Sequence, residues 1–264
     1  TAKNQVKIMK KPLILVTNDD GMVAPGIAAL VEVARDFGQV FVVAPDSPQS
    51  GQGHAITVEN PLRLNQVDVF EDIVAYECNG TPADCVKLAK HLLHKNQHID
   101  LCLSGINHGS NASVNIIYSG TMSAAMEAAI EGIDSIGFSL LDYSFDADFT
   151  TAKQVVRTIL EKVTRHGFDA DCRLLNVNIP KVAPDELKGI KVCRQADGYW
   201  MEEFVVGTDP RNQEYYWLTG KFTNRDKGED TDLYALQNGY ASIVPSHYDL
   251  THYKSIEKYK VLEE

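Results

Sequence analysis

Apolar positions fall into short runs separated by polar breaks, and the runs alternate between two periods. Leu13-Ile14-Leu15-Val16 is continuous and rich in branched residues, as expected of a strand buried on both faces. After Asn18-Asp19-Asp20-Gly21, Pro25 takes a first helical position. Ile27, Leu30, Val31 and Ala34 then recur at helical spacing, which predicts a helix ending near Gly38. Val40–Ala44 is a second apolar run, stopped by Pro45, so the chain opens as a strand–helix–strand unit with a parallel, right-handed crossover.

The alternation continues. Asp46–Asn60 is a polar loop with Gly51 and Gly53, and Val74–Cys78 is the next strand. Thr81, Pro82 and Asp84 form a helix start with a capping hydroxyl, a first-turn proline and an acid three residues after the cap. Ile99–Leu103 is a strand leading into the polar stretch Ser104–Asn111. Tyr118-Ser119-Gly120-Thr121 leads into an alanine-rich helix over Met122–Ile130, and Ile136–Leu140 is a further strand. Residues 1–145 therefore read as a doubly wound α/β core with a mostly parallel sheet. Residues 146–264 complete the same single domain. A helix is expected over Phe149–His166, strands at Leu174–Pro180 and Ala241–Pro245, aromatic hairpins between Lys188 and Asp232, and a short C-terminal helix.

Composition narrows the function. With 44% hydrophobic and 23% charged residues the 264-residue chain is an ordinary globular protein. Its net charge of -11 argues against nucleic-acid polymers and anionic membranes as partners. No run is long enough to span a bilayer, and Thr1–Pro12, with Lys3, Lys7, Lys10 and Lys11, is read as a solvated lead-in rather than a signal segment. Five cysteines without a CxxC pair suggest buried, reduced thiols and a cytoplasmic location, with Cys102 in the core.

Ligands of open α/β sheets bind outside the carboxyl ends of the strands. The loops Asn18–Gly21, Ser47–Gly53 and Ser104–Asn111 meet that condition, with the Tyr118–Thr121 turn beside them. Asp19 and Asp20 are either turn-closing acids or ligands of a hard divalent ion. Burial at a strand end favours the ion, because two adjacent carboxylates there require neutralisation. Oxygen donors suit Mg²⁺ or Mn²⁺ over zinc. Asn18 braces the turn or touches substrate; Ser50, Asn107 and Asn111 gain meaning only by sharing the edge. Ser119, Gly120 and Thr121 either cap the helix or use its N–H groups and their hydroxyls to hold an anion. His54 and His108 either serve phosphate and proton transfer or are solvated. His91, His94 and His98 read as surface, Glu127 as a solvated face or a brace, and Met126 and Ile130 as core contacts. Gly-x-Gly-x-x-Gly is absent after the first strand, which disfavours a dinucleotide dehydrogenase.

Taken together, these blocks resemble a known family. Val16–Gly21 with Ala24-Pro25-Gly26-Ile27, Val43–Asp46 with Ser50-Gly51, Asn79–Cys85, Ser104–Asn111, Tyr118–Thr121 and the closing Thr231-Asp232, Gly239–Ile243 and Asp249–Thr251 match the SurE (survival protein E) nucleotidases in order, across nearly the whole chain. Ser47-Pro48-Gln49 stands where many members carry basic or polar residues, and Asn111–Ile117 lacks the usual glycine-rich wording. The resemblance implies a Rossmann-like core with C-terminal hairpins for assembly into dimers or tetramers. It implies a phosphomonoesterase, a 5′-nucleotidase of acid-phosphatase-like chemistry, acting on nucleoside 5′- and 3′-monophosphates or other small phosphate esters. One Mg²⁺ or Mn²⁺ per subunit is implied at Asp19, Asp20, Ser50 and Asn107. Phosphate is expected at Asn18, Gly51, Asn107, Asn111, Ser119, Gly120 and Thr121, with Asp19, Asp20, Asn111 and Ser119 as the catalytic set. A non-catalytic nucleotide or phosphate sensor and a metal-dependent sugar-nucleotide transferase are the alternatives.

Overall fold

The computed structural model describes residues 11–263 apart from His94 and Phe145, so the Lys3, Lys7 and Lys10 lead-in and His94 lie outside the described residues. The first strand, β1 (Leu13–Thr17), sits near the centre of a nine-stranded sheet. Alternation along it assigns the two faces of the molecule. Ile14 and Val16 pack with α1 (Pro25–Ala34) and α4 (Thr150–His166), while Leu13 and Leu15 pack with α2 (Pro82–Leu88) and α3 (Gly120–Ile130). Both faces are covered, which is why β1 reads as a continuous apolar run.

The other strands are β2 (Gln39–Pro45), β3 (Leu64–Val67), β4 (Val74–Cys78), β5 (Leu101–His108), β6 (Asp134–Leu140), β7 (Leu174–Ile179), β8 (Ile190–Val192), β9 (Gly198–Thr208), β10 (Glu214–Asn224) and β11 (Ala241–Ser246). The sheet order is β3-β4-β2-β1-β5-β6-β7-β11-β8. The six strands from β4 to β7 are mutually parallel, as expected, and antiparallel neighbours occur only toward the edges, β3 on β4 and β11 on β7. Strand order reverses between β1 and β5, so the loops after these two strands diverge around one crevice.

Several boundaries differ from the sequence pattern for local reasons. α1 stops at Ala34, and a turn from Phe37 N–H to the Ala34 carbonyl fills the space to Gly38. α3 starts two residues early because the Ser119 hydroxyl accepts from Met122 N–H at 3.0 Å. β5 runs on to His108 through polar residues, its ladder to β6 interrupted between Ser104 and Asn107. The edge strand β3 and α5 (Asp232–Gln237) were not predicted. Ile130, expected in the core, is 47% exposed at the end of α3, whereas Met126 packs against the core. All five cysteines are free thiols, with Cys102 fully buried.

β9 and β10 form a separate two-stranded ribbon that, among the described residues, pairs only with itself and exposes Phe204, Val206, Tyr216 and Trp217. After β11 the tail carries α6 (Ile256–Tyr259) and further exposed apolar side chains, Leu250 and Val261 among them. No helix among the described residues is long and apolar enough to cross a membrane.

The approach of α1 to β5 depends on one glycine. A Cβ on Gly26 would lie 1.9 Å from the Ile106 carbonyl oxygen, which is backbone and cannot rotate away. Gly26→Ala is expected to cost about 3 kcal/mol or more, seen as a shifted urea midpoint. An unchanged midpoint would show that α1 has room to slide.

Candidate active site

Asp19 and Asp20 leave the carboxyl end of β1 into the crevice beside β5. Asp19 is only 4% exposed. It fits beneath the start of α3 because residue 120 is glycine: a Cβ there would stand 2.6 Å from Asp19 Cβ and 2.9 Å from Oδ2. The Thr121 hydroxyl donates to Asp19 Oδ1. Burial pushes the Asp19 carboxyl up to about 6, Asp20 adds repulsion, and the Thr121 hydrogen bonds pull the other way. Asp20 is half-buried and is held by one long bond, 3.4 Å, from His108 N–H. Its carboxyl is also raised, chiefly by burial.

The remaining walls are tied to this pair. Gln49 N–H donates to the Asp19 carbonyl at 2.8 Å, which seats the loop carrying Ser50 and Gly51 against the β1 end. Ser50 is exposed, and Gly51, at φ +72°, has nothing within 4 Å of where a Cβ would be. Asn107 donates through Nδ2 to the Gly109 carbonyl at 2.9 Å, so its Oδ1 remains as a free oxygen donor at the end of β5. Asn18 Nδ2 closes the turn onto the Gly21 carbonyl at 2.9 Å, whereas its buried Oδ1 has no partner among the described residues.

Other residues behave differently from expectation. The Thr121 hydroxyl is spent on Asp19 and does not point to an external phosphate. The Asn111 side chain is buried, with Nδ2 donating to Ser139 Oγ at 2.7 Å, and its backbone N–H and carbonyl engage Asn178 and Asn176. One side-chain amide hydrogen is thus directed to β6 and the backbone is tied to β7, which fixes the loop path. Ser119 caps α3 while keeping its own hydroxyl hydrogen. His54 turns away from the crevice to Glu127 at 2.8 Å, and Lys87 meets the same carboxylate at 2.5 Å. Glu127 is thus a buried brace, 3% exposed, holding the Ser50 loop to α3. The His108 ring bonds the Ser144 carbonyl at 3.0 Å and packs edge-on against Phe149. His91 lies at the surface beside Glu131.

Thr17 and Ser104 lie inside the Val16–Gly21 and Ser104–Asn111 blocks, but sequence reasoning assigned neither an individual role. They are register partners on β1 and β5, fully buried, and neither hydroxyl has a partner among the described residues. The available signal was the first hydroxyl at the end of each apolar run.

No group of three or more His, Cys, Asp and Glu side chains among the described residues forms a metal cluster. Any ion here would draw on two carboxylates plus the Asn107 and Ser50 oxygens. That all-oxygen set, with an adjacent carboxylate pair that burial leaves undercompensated, fits a hard divalent cation.

The family model for survival protein SurE matches residues 14–202, well over half the chain and every element of this crevice. The chain belongs to the SurE family. A relative named 5′-nucleotidase SurE, from Christiangramia forsetii, is 60% identical over 245 residues, covering 92% of this chain and 93% of the relative. One of the same name from Flavobacterium psychrophilum is 56% identical over 250 residues, covering 94% and 96%. Among solved structures, the SurE protein from Aquifex aeolicus superposes with a TM-score of 0.83 at 42% identity, covering 96% of this chain and all of that one.

Proposed function

We propose that this SurE protein is a divalent-metal-dependent 5′-nucleotidase that hydrolyses nucleoside monophosphates to nucleoside and phosphate, with 3′-monophosphates as further substrates. The observation that carries the reading is the Asp19–Asp20 pair at the strand-order reversal, Asp19 buried and Asp20 half-buried, set against the N-terminus of α3. The names of the relatives supply the reaction class.

Asp19, Asp20, Asn107 Oδ1 and the Ser50 hydroxyl would hold one Mg²⁺ or Mn²⁺. When bound, such an ion supplies Lewis acidity toward a phosphoryl oxygen and acidifies bound water. The protein residues divide the rest. Asp19, locked by Thr121 and roofed by Gly120, is the fixed ligand. Asp20, freer and half-exposed, accepts a hydrogen bond from the attacking water and orients it. The Ser119 hydroxyl and the Gly120 N–H, at the positive end of α3, face charge that builds on the phosphoryl oxygens. The open backbone at Gly51 lets a phosphate approach without meeting a side chain.

The pair also sets a pH dependence. An ion needs ionised carboxylates, and protons compete with it below the raised Asp19 value of about 6. Apparent Mn²⁺ affinity, read by titration calorimetry, is expected to rise about tenfold per pH unit between pH 5 and 6 and to level off near pH 7. A flat profile across that range would contradict Asp19 as a ligand.

The exposed apolar side chains of the β9–β10 ribbon and the tail suit contact with further copies of the chain, giving a homodimer or homotetramer. The direct test of the reaction is a product assay on AMP with Mg²⁺ or Mn²⁺. Release of adenosine and phosphate supports a nucleotidase, whereas tight AMP binding without release would support a sensor.

A further inference from the structure

The register of β9 and β10 places three pairs on one face: Trp200 with Phe222, Glu202 with Gly220, and Phe204 with Leu218. Large side chains thus flank a position where the partner of Glu202 has no side chain. The notch is built into the backbone, because a Cβ on Gly220, at φ +155°, would stand 2.6 Å from the Met201 carbonyl oxygen. It opens into a cleft of about 540 Å³ lined by Gly51, Tyr118, Trp200, Glu202, Leu218 and Gly220.

Trp200 is 42% exposed yet held twice. Its indole N–H donates to Asn115 Oδ1 at 2.8 Å, and Phe222 meets it edge-on at 5.6 Å between ring centroids. A solvent-facing ring fixed in this way is a stacking platform whose ordering cost is already met. The Glu202 carboxylate makes no hydrogen bond or ion pair among the described residues. The cleft also adjoins the catalytic crevice. Tyr118 lies two residues before Gly120, a chain distance of at most about 7 Å, and its carbonyl accepts from Gly53 N–H at 3.2 Å. Gly51 lines the cleft as well as the crevice, so a phosphate held near Gly51 and Gly120 has the aromatic cleft next to it.

We propose that this cleft seats the base of the nucleoside monophosphate, with the ring stacked on Trp200 and Glu202 accepting from the donor edge of the base. The inference rests on the nucleotidase reading and adds a specificity to it. A carboxylate only accepts. Guanine offers a ring N–H beside an amino group, two donors to one carboxylate. Adenine sets a ring-nitrogen lone pair beside its amino group, directed at the same oxygens. The cleft therefore favours guanine nucleotides over adenine nucleotides.

The chain has two tryptophans, and Trp217 lies on the opposite face of the ribbon, so Trp217→Phe leaves Trp200 as the sole indole reporter. Guanosine, which carries no phosphate, is expected to quench its fluorescence saturably, about tenfold more tightly than adenosine. Glu202→Gln in the same background is expected to erase that difference. Absence of saturable quenching by guanosine overturns the proposal, as does a guanosine-to-adenosine ratio near one or a ratio that Glu202→Gln leaves intact. Because the probe is not hydrolysed, the two readings fail separately. Quenching by guanosine without phosphate release from GMP keeps the base seat and removes the nucleotidase assignment. Release without quenching does the reverse. In turnover, Trp200→Ala is expected to lower kcat/KM for GMP relative to ribose 5-phosphate about tenfold, carried by KM; an unchanged ratio counts against the seat.

Discussion

Asp19→Asn is expected to lower metal-stimulated phosphate release on the order of a thousandfold while making the metal-free protein more stable. The two effects share one cause. Burial raises the Asp19 carboxyl from 3.8 to about 6, so between those values the folded chain holds a proton that the unfolded chain has released. Stability therefore falls as pH rises through that window, and above about 6 the penalty is complete. A shift of this size corresponds to a penalty on the order of 2–3 kcal/mol. Asparagine keeps the shape and the acceptor for Thr121 and removes the charge. At pH 7.5 the metal-free variant is expected to melt several degrees above the metal-free parent, and Mn²⁺ should raise the parent's melting temperature far more than the variant's. Equal activity, or a lower metal-free melting temperature, would count against a carboxylate kept for its charge.

Gly120→Ala tests the same site from the helix side. An alanine at the start of an exposed helix is ordinarily benign or favourable by up to about 1 kcal/mol. Here its methyl would overlap the Asp19 Cβ at 2.6 Å, an atom anchored one bond from the backbone. Either Asp19 or the first turn of α3 must move, and a displacement near 1 Å at a reacting centre costs on the order of a hundredfold in rate. The expected result is a folded protein, with an unaltered far-ultraviolet circular dichroism spectrum, and a kcat for AMP reduced by about that factor. A parental kcat would show that Asp19 has slack beneath α3.

The sequence made some of this site legible and hid the rest for identifiable reasons. β1 could be read because burial on both faces demands an unbroken apolar run. The start of α2 could be read because Thr81 and Asp84 form a reciprocal cap whose signature is local. β3 could not, since a four-residue edge strand with only Leu64 and Val67 half-buried carries almost no pattern. β5 extends past its apolar run because pairing with β6, not hydrophobicity, sustains it to His108. Proximity of Asp19, Asp20 and the Ser119 turn followed from the rule that binding loops collect at one sheet edge. The hydrogen-bond assignments did not: nothing local says that Thr121 spends its hydroxyl on an aspartate about a hundred residues away, or that Glu127 faces inward to Lys87 and His54. Such pairings are tertiary, and a polar residue on a helix looks the same in sequence whether it braces a loop or faces water.

If a divalent ion at Asp19, Asp20, Ser50 and Asn107 is required for nucleotide hydrolysis, its removal abolishes the reaction. The most direct measurement strips the protein with EDTA, verifies metal removal by elemental analysis, and follows phosphate release from AMP as Mn²⁺ is returned. Activity is expected to fall to background and to recover with saturation near one ion per chain. Undiminished hydrolysis by the metal-free protein would contradict that requirement.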